Sequence, residues 1–152
     1  GAGTLARRRS VVNGNRVLEL PDWMVRPGPK AILEATNDPL AAANYTPDTA
    51  LVNYYSDDSK MGMHQDRDEQ STQPVVSISI GDTCQFRFGN TLNRNKPYED
   101  IALASGDLFV FGGPARLAYH GVTKILPGTA PAECGLASGR INITMRVTGL
   151  DG

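Results

Sequence analysis

A chain of 152 residues, 40% hydrophobic and 20% charged, fits one domain that would bury roughly 68–70% of the surface its unfolded chain exposes, and it points to neither disorder, a collagen-like repeat nor a membrane protein. A net charge of −1 and a pI near 6.1 exclude a global basic field, so any nucleic-acid partner must be met by a local patch. Cys84 and Cys134 form no zinc spacing and are too few for a disulfide scaffold, and no apolar run approaches the roughly 18 residues of a membrane span, so a cytoplasmic protein is expected.

The first ten residues are small and basic, ending in Arg7-Arg8-Arg9, which reads as a solvated charge run. Val11 to Pro29 is turn-rich, with Asn13-Gly14 and three prolines, and predicts irregular or edge structure; Trp23 within it reads as packing more readily than as a platform for a base. Lys30 to Ala43 repeats alanine, leucine and glutamate at near-helical spacing, with Pro29 suited to a first turn and Pro39 forcing a break or a second start.

After Pro47 the pattern changes to short apolar segments between turns: Ala50–Tyr55, Val75–Ile80, Cys84–Phe88, Asp107–Phe111, Arg116–Val122 and Arg140–Thr148. Such spacing predicts an all-β sandwich or barrel. In Val75–Ile80 the period is two, placing Val76, Ile78 and Ile80 on one side and Ser77 and Ser79 on the other. Residues 90–100 and 126–139 are polar, glycine- and proline-bearing loops long enough to carry function.

Met63-His64-Gln65-Asp66 follows a predicted strand, and residues i and i+2 of an extended segment point the same way, so His64 and Asp66 can bind one cation. His120 is the other histidine in the chain, and two histidines with one carboxylate form the facial arrangement of non-haem Fe(II) oxygenases. The final strand alternates strictly: Arg140, Asn142, Thr144 and Arg146 share one face, Ile141, Ile143, Met145 and Val147 the other. A polar strand face is often simply solvated. Turned inward, two guanidiniums flanking an amide suit a small dicarboxylate, because arginine pairs with carboxylate through two parallel hydrogen bonds; Asn53 and Tyr55, again i and i+2, add donors.

Taken in order, Asn53-Tyr-Tyr55, Gly62-Met-His64-Gln-Asp66-Arg-Asp68-Glu69, Pro74 to Gly81, Phe86-Arg-Phe-Gly89, Gly106 to Gly113, Arg116-Leu-Ala-Tyr-His120-Gly121 and Arg140-Ile-Asn-Ile-Thr-Met-Arg146 resemble the AlkB family of Fe(II)/2-oxoglutarate-dependent alkylation-repair dioxygenases, bacterial members in particular. The resemblance implies a mainly β (α+β) domain over 1–152, a double-stranded β-helix or jelly roll with a supporting N-terminal helical region. It implies Fe(II) held by His64, Asp66 and His120. Asn53, Tyr55, Arg140, Asn142 and Arg146 then fall on the 2-oxoglutarate site, with Arg140 and Tyr55 on the distal carboxylate.

Three substrate contacts are implied in the same way: Asp68 on the damaged base, Arg116 beside the iron-binding histidine, and Arg94 in a loop that approaches the substrate backbone. The implied reaction consumes O2 and 2-oxoglutarate, hydroxylates an N-alkyl carbon and releases an aldehyde, with succinate and CO2 as coproducts. The implied partner is alkylated DNA, with RNA as the other candidate, single-stranded or with its base flipped out, since a stacked base cannot reach such a pocket. A monomer is expected. The family's nucleotide-recognition lid is expected to be short or missing across residues 1–23. Two alternatives stand beside this reading: the same iron chemistry on a small metabolite or a protein side chain, and a jelly-roll metal- or ligand-binding module without turnover.

Overall fold

The computed structural model describes residues 4–7, 11–12, 15–16, 26–67 and 71–148. Asp68, Trp23, Arg8, Arg9 and most of the expected lid segment lie outside the described residues. Among the described residues the strands in chain order are β1 (Thr4–Arg7), β2 (Val11–Val12), β3 (Asn15–Arg16), β4 (Thr49–Tyr55), β5 (Met61–His64), β6 (Val75–Gly81), β7 (Thr83–Phe88), β8 (Glu99–Leu103), β9 (Leu108–Phe111), β10 (His120–Leu126) and β11 (Arg140–Arg146), and two helices, α1 (Pro27–Thr36) and α2 (Pro39–Asn44), precede β4.

Proline and aspartate chemistry explains the helical pair. α1 has a proline in its first turn, where a missing N–H costs nothing, and ends at Asn37, whose φ of 53° is the left-handed cap conformation and whose N–H bonds Leu33 O. Asp38 then caps α2, its Oδ1 accepting the N–H groups of Leu40 and Ala41, with Pro39 in the opening turn. The break expected at Pro39 is thus a second helix start. Ala31, Ile32 and Ala42 pack with Tyr45, Val76 and Met145 into one core, and Tyr45 donates its hydroxyl to Met145 O at 3.0 Å.

The β-strands form two antiparallel sheets, ordered β1-β4-β11-β6-β9 and β5-β10-β7-β8, with β2-β3 a separate pair. From β4 onward the chain passes back and forth between the two large sheets, which gives the expected jelly roll. Tyr55, Cys84, Phe86, Leu103, Val122 and Ile125 fill a second core. Phe86, Phe88, Phe109 and Phe111 meet ring to ring with centroids 5.0–6.2 Å apart, within the range of favourable aromatic pairs.

Two expectations shift. Residues 116–119, predicted to open a strand, instead continue a 3-10 turn at Gly113–Ala115, and β10 runs from His120 on to Leu126. Local backbone bonds hold this turn, with the Arg116 N–H on Gly113 O at 3.1 Å and the Ala118 N–H on Ala115 O at 3.0 Å, so these amides are taken before a ladder can form. The loop over 90–100 also closes early, because Glu99 and Asp100 already pair with Phe88 and Arg87 in β8. β1, β5 and β8 are not among the strands that the sequence predicts.

Candidate metal and dicarboxylate site

Sheet register assembles the site. In β11, Arg140 stands opposite Tyr55 and Gly81, Asn142 opposite Asn53 and Ser79, and Thr144 opposite Leu51 and Ser77. Because side chains alternate along a strand, all these polar groups emerge on one face. That face is the interior one: Ser77, Ser79, Arg140, Asn142 and Thr144 are all buried, while Val76 and Met145 on the opposite face pack against the helices.

The inner face floors a cavity of about 470 Å³, lined by Asn53, Tyr55, His64, Asp66, His120, Arg140, Asn142 and Arg146 among others. All eight residues expected to hold metal or 2-oxoglutarate therefore converge on one space. Three apolar rings or side chains, Phe86, Phe111 and Val122, close its other wall.

At one end, the pairing of β10 with β5 sets His120 directly across from His64, ring centroids 4.5 Å apart. Gly121 permits this approach: a Cβ there would lie 2.5 Å from Met61 O. Asp66 follows β5 by two residues, and its Oδ1 stands 3.6 Å from His64 Nε2 and 3.8 Å from His120 Nε2. The donor atoms of the three residues lie within 4.8 Å of one another.

Protonation follows from the neighbours. Nδ1 of His64 faces Gly62 O and Nδ1 of His120 faces Ala118 O, each at 2.9 Å. A carbonyl can only accept, so both Nδ1 atoms carry hydrogen, and in the neutral rings each Nε2 presents a lone pair. Burial holds the His120 pKa below its usual value, against the raising effects of the Ala118 carbonyl and Asp66. Two imidazole Nε2 atoms and a carboxylate oxygen then face one another. That donor set suits a cation, and the 3.6–3.8 Å separations of Asp66 Oδ1 from the two Nε2 atoms are spans that one ion at about 2.1 Å from each donor bridges. The far oxygen of Asp66 meets Arg146 Nη1 at 2.7 Å.

The other end of the cavity has the opposite polarity. The Arg140 guanidinium is 1% exposed and sits 5.3 Å from the Tyr55 ring centroid. Nη2 donates to Ser79 Oγ at 2.9 Å, whereas Nε and Nη1 find no acceptor among the described residues. A buried cation with two idle donors is costly unless an anion completes it, and a carboxylate supplies two matched acceptors. Burial raises the Tyr55 pKa, with Arg140 opposing, so its hydroxyl stays protonated and able to donate. Asn142 Nδ2 is anchored on Ser77 Oγ at 2.5 Å.

The expected substrate contacts fare differently. Arg116 is 4% exposed and is not among the cavity-lining residues; Nε bonds Gln73 O and Nη1 bonds Asp66 O, so it ties those two backbone positions together. Arg94 lies in the exposed 90–98 loop with Nε on Met63 O at 2.8 Å and its guanidinium 5.4 Å from the Tyr119 ring centroid, beside the His64 strand. Gln65, which the sequence did not single out, lines the cavity and ties two rim loops together through Thr91 O and Leu117 O. Its position between two metal-type ligands was the available signal.

A His/Asp/His triad on a jelly roll, opposed by a buried arginine, is the pattern of non-haem iron oxygenases that use a 2-oxo acid. The family description "2OG-Fe(II) oxygenase superfamily" matches residues 7–146. The chain is 54% identical over 101 residues to the alpha-ketoglutarate-dependent dioxygenase AlkB homolog of Caulobacter vibrioides, covering 66% of this chain and 44% of that protein. It is 40% identical over 110 residues to the DNA N(6)-methyladenine demethylase ALKBH1D of Arabidopsis thaliana, covering 66% of this chain and 25% of that one. The solved structure of OsALKBH1 superposes with a TM-score of 0.76 at 36% identity, over 89% of this chain and 69% of that chain. This chain belongs to the 2OG-Fe(II) oxygenase superfamily and, within it, to the AlkB family. It spans about half or less of the length of the two curated relatives.

Proposed function

We propose that this protein is an Fe(II)/2-oxoglutarate-dependent dioxygenase that oxidatively demethylates N-alkylated bases in nucleic acid, as in the repair of DNA alkylation damage. The observation that carries the reading is the polarity of a single cavity: three convergent ligand atoms, from His64, Asp66 and His120, at one end, and at the other the Arg140 guanidinium, whose Nε and Nη1 have no acceptor among the described residues. A cation and a dicarboxylate complete both ends at once. Bound iron with 2-oxoglutarate and O2 supplies the oxidation, coupling decarboxylation of the cosubstrate to hydroxylation of the alkyl carbon.

The chain's own part is binding, aiming and exclusion of water. His64, Asp66 and His120 hold the metal, and Arg146 keeps Asp66 Oδ2 occupied so that Oδ1 faces the histidines. Arg140 and Tyr55 take the distal carboxylate, with Asn53 and Asn142 beside them on the floor. Phe86 and Phe111 pack on His120 at centroid distances of 5.9 and 5.0 Å and keep that side dry.

The His64 side chain is 39% exposed and that of His120 9%, so substrate enters on the His64 side. Arg94 lies on that same side, which suits a contact with a phosphate, and the reading includes a contact of Asp68 with the base. A lone base must leave its stack to enter, so single-stranded or flipped substrate is part of the reading. So are a monomeric state and a cytoplasmic location. No helix among the described residues is long and apolar enough to cross a membrane.

The test is turnover of methyladenine- and methylcytosine-containing oligonucleotides with and without 2-oxoglutarate. Formaldehyde should match the succinate formed above the oligonucleotide-free background, and both should require Fe(II) and the cosubstrate. Succinate formed at a rate that methylated oligonucleotides never raise would transfer the activity to a small metabolite or protein side chain, and no succinate at all would leave a binding module.

A further inference from the structure

Asp82, in the turn from β6 to β7, is 1% exposed and takes no part in the chemistry proposed above. Its carboxylate has no lysine, arginine or histidine partner among the described residues. Instead Oδ1 accepts the N–H groups of Thr129 at 3.0 Å and Ala130 at 2.9 Å, and Oδ2 accepts that of Gly139 at 2.9 Å. The Asp82 N–H returns a bond to Gly139 O at 2.8 Å, so the two residues hold each other twice. A carboxylate buried without a cation is tolerated when amides replace its hydration, and only an acceptor-only side chain suits three N–H donors on two oxygens. Asparagine would turn an N–H2 group toward at least one of them.

What this clamp fixes is the entry of β11. Gly139, at φ +78°, is wedged so tightly that a Cβ there would lie 2.5 Å from Tyr54 Oη and 2.6 Å from Tyr55 O. The next residue is Arg140. Its guanidinium rests on Ser79 Oγ through Nη2 and lies beside the Tyr55 ring, and Nε and Nη1 find no acceptor among the described residues, so its reach into the cavity is set jointly by these contacts and by where the backbone delivers it. Asp82, the loop at 127–139 and the start of β11 therefore form one mechanical unit aimed at the distal end of the cavity.

We propose that Asp82 is a positioning residue for the 2-oxo acid, acting through Gly139 to set the aim of Arg140. The inference rests on the reading that Arg140 holds the distal carboxylate of 2-oxoglutarate. Two ligands separate the aim of Arg140 from general damage: 2-oxoglutarate, and 2-oxobutyrate, which keeps the metal-chelating end and lacks the distal carboxylate. In anaerobic Fe(II)-loaded protein, calorimetry on Asp82→Asn should show the 2-oxoglutarate Kd raised about tenfold, equivalent to about 1.4 kcal/mol, with the 2-oxobutyrate Kd unchanged. In turnover, KM for 2-oxoglutarate should rise while kcat at saturation holds. Arg140→Met should also weaken 2-oxoglutarate, and adding Asp82→Asn to it should cost nothing more, because the two changes act on one contact.

Unchanged 2-oxoglutarate affinity in Asp82→Asn, or equal weakening of both ligands, overturns the proposal while leaving the function of Arg140 intact. Unchanged affinity in Arg140→Met overturns both. If Asp82→Asn does not fold, the natural protein still decides. Reciprocity requires that a ligand gripping Arg140 stabilise the clamp, so amide exchange at Thr129, Ala130 and Gly139 should slow on saturation with 2-oxoglutarate and not with 2-oxobutyrate. Equal exchange with both ligands overturns it.

Discussion

Replacing Arg140 by lysine keeps a positive charge at the distal end of the cavity and removes the planar fork. In the structure that fork is 1% exposed, with Nε and Nη1 unpaired and Nη2 on Ser79 Oγ. A hydrogen bond to a charged group contributes about 1.5–3 kcal/mol, and the ammonium of lysine can replace one such bond but not two parallel ones. Losing one bond of that strength corresponds to a rise in 2-oxoglutarate Kd of roughly ten- to 150-fold. Anaerobic calorimetry with Fe(II) measures it directly, and 2-oxobutyrate serves as the control whose affinity should not move. The same geometry predicts that 2-oxoglutarate stabilises the natural protein by about 2.7 kcal/mol at a hundred times its Kd, and less in the variant at equal concentration. Unchanged affinity in Arg140→Lys would mean that the dicarboxylate is held elsewhere, and the argument from the unpaired guanidinium would fail.

Asp66→Ala should abolish metal binding and turnover while circular dichroism still reports a folded sheet, since a ligand is lost and not core volume. Metal-free protein should lose stability as pH falls below about 6.5: burial depresses the folded-state pKa of His120, the unfolded chain binds the proton first, and protonation then favours unfolding. Urea midpoints compared at pH 5 and pH 7.5 check the sign, and a higher midpoint at pH 5 would contradict it. Gly121→Ala puts a methyl 2.5 Å from Met61 O and should force β5 away from β10, costing about 1–3 kcal/mol in thermal or urea melts. Because the same displacement separates His64 from His120, metal affinity should fall by about 10- to 100-fold, as when supports of metal ligands are lost. Asp68→Ala should impair demethylation of oligonucleotides and spare the slow consumption of 2-oxoglutarate that proceeds without them; equal loss of both would indicate a damaged metal site.

Much of this was legible along the chain because it is local. The strict alternation from Arg140 to Arg146 predicts a polar strand face, His64 and Asp66 at i and i+2 predict a shared direction, and Pro39 predicts the restart that Asp38 caps. Alternation alone does not say which face is wet. Ser77 and Ser79 look like the solvent side of β6, yet they are buried, because helices α1 and α2 cover the apolar side and the second sheet closes over the serines. Only packing between layers decides that.

The remaining features were hidden because their partners are far apart in sequence. Arg116 reads as a substrate contact beside a histidine, but its guanidinium reaches Gln73 O and Asp66 O, 43 and 50 residues away. Asp82 looks like an ordinary turn residue until the loop 47 to 57 residues later folds its amides onto it. The amino-acid sequence by itself determined which groups can bind iron and a dicarboxylate, since that is a matter of side-chain chemistry and strand period. Tertiary structure decided their register, their burial and what aims them, because those depend on strands and loops that meet only after the sheets have closed.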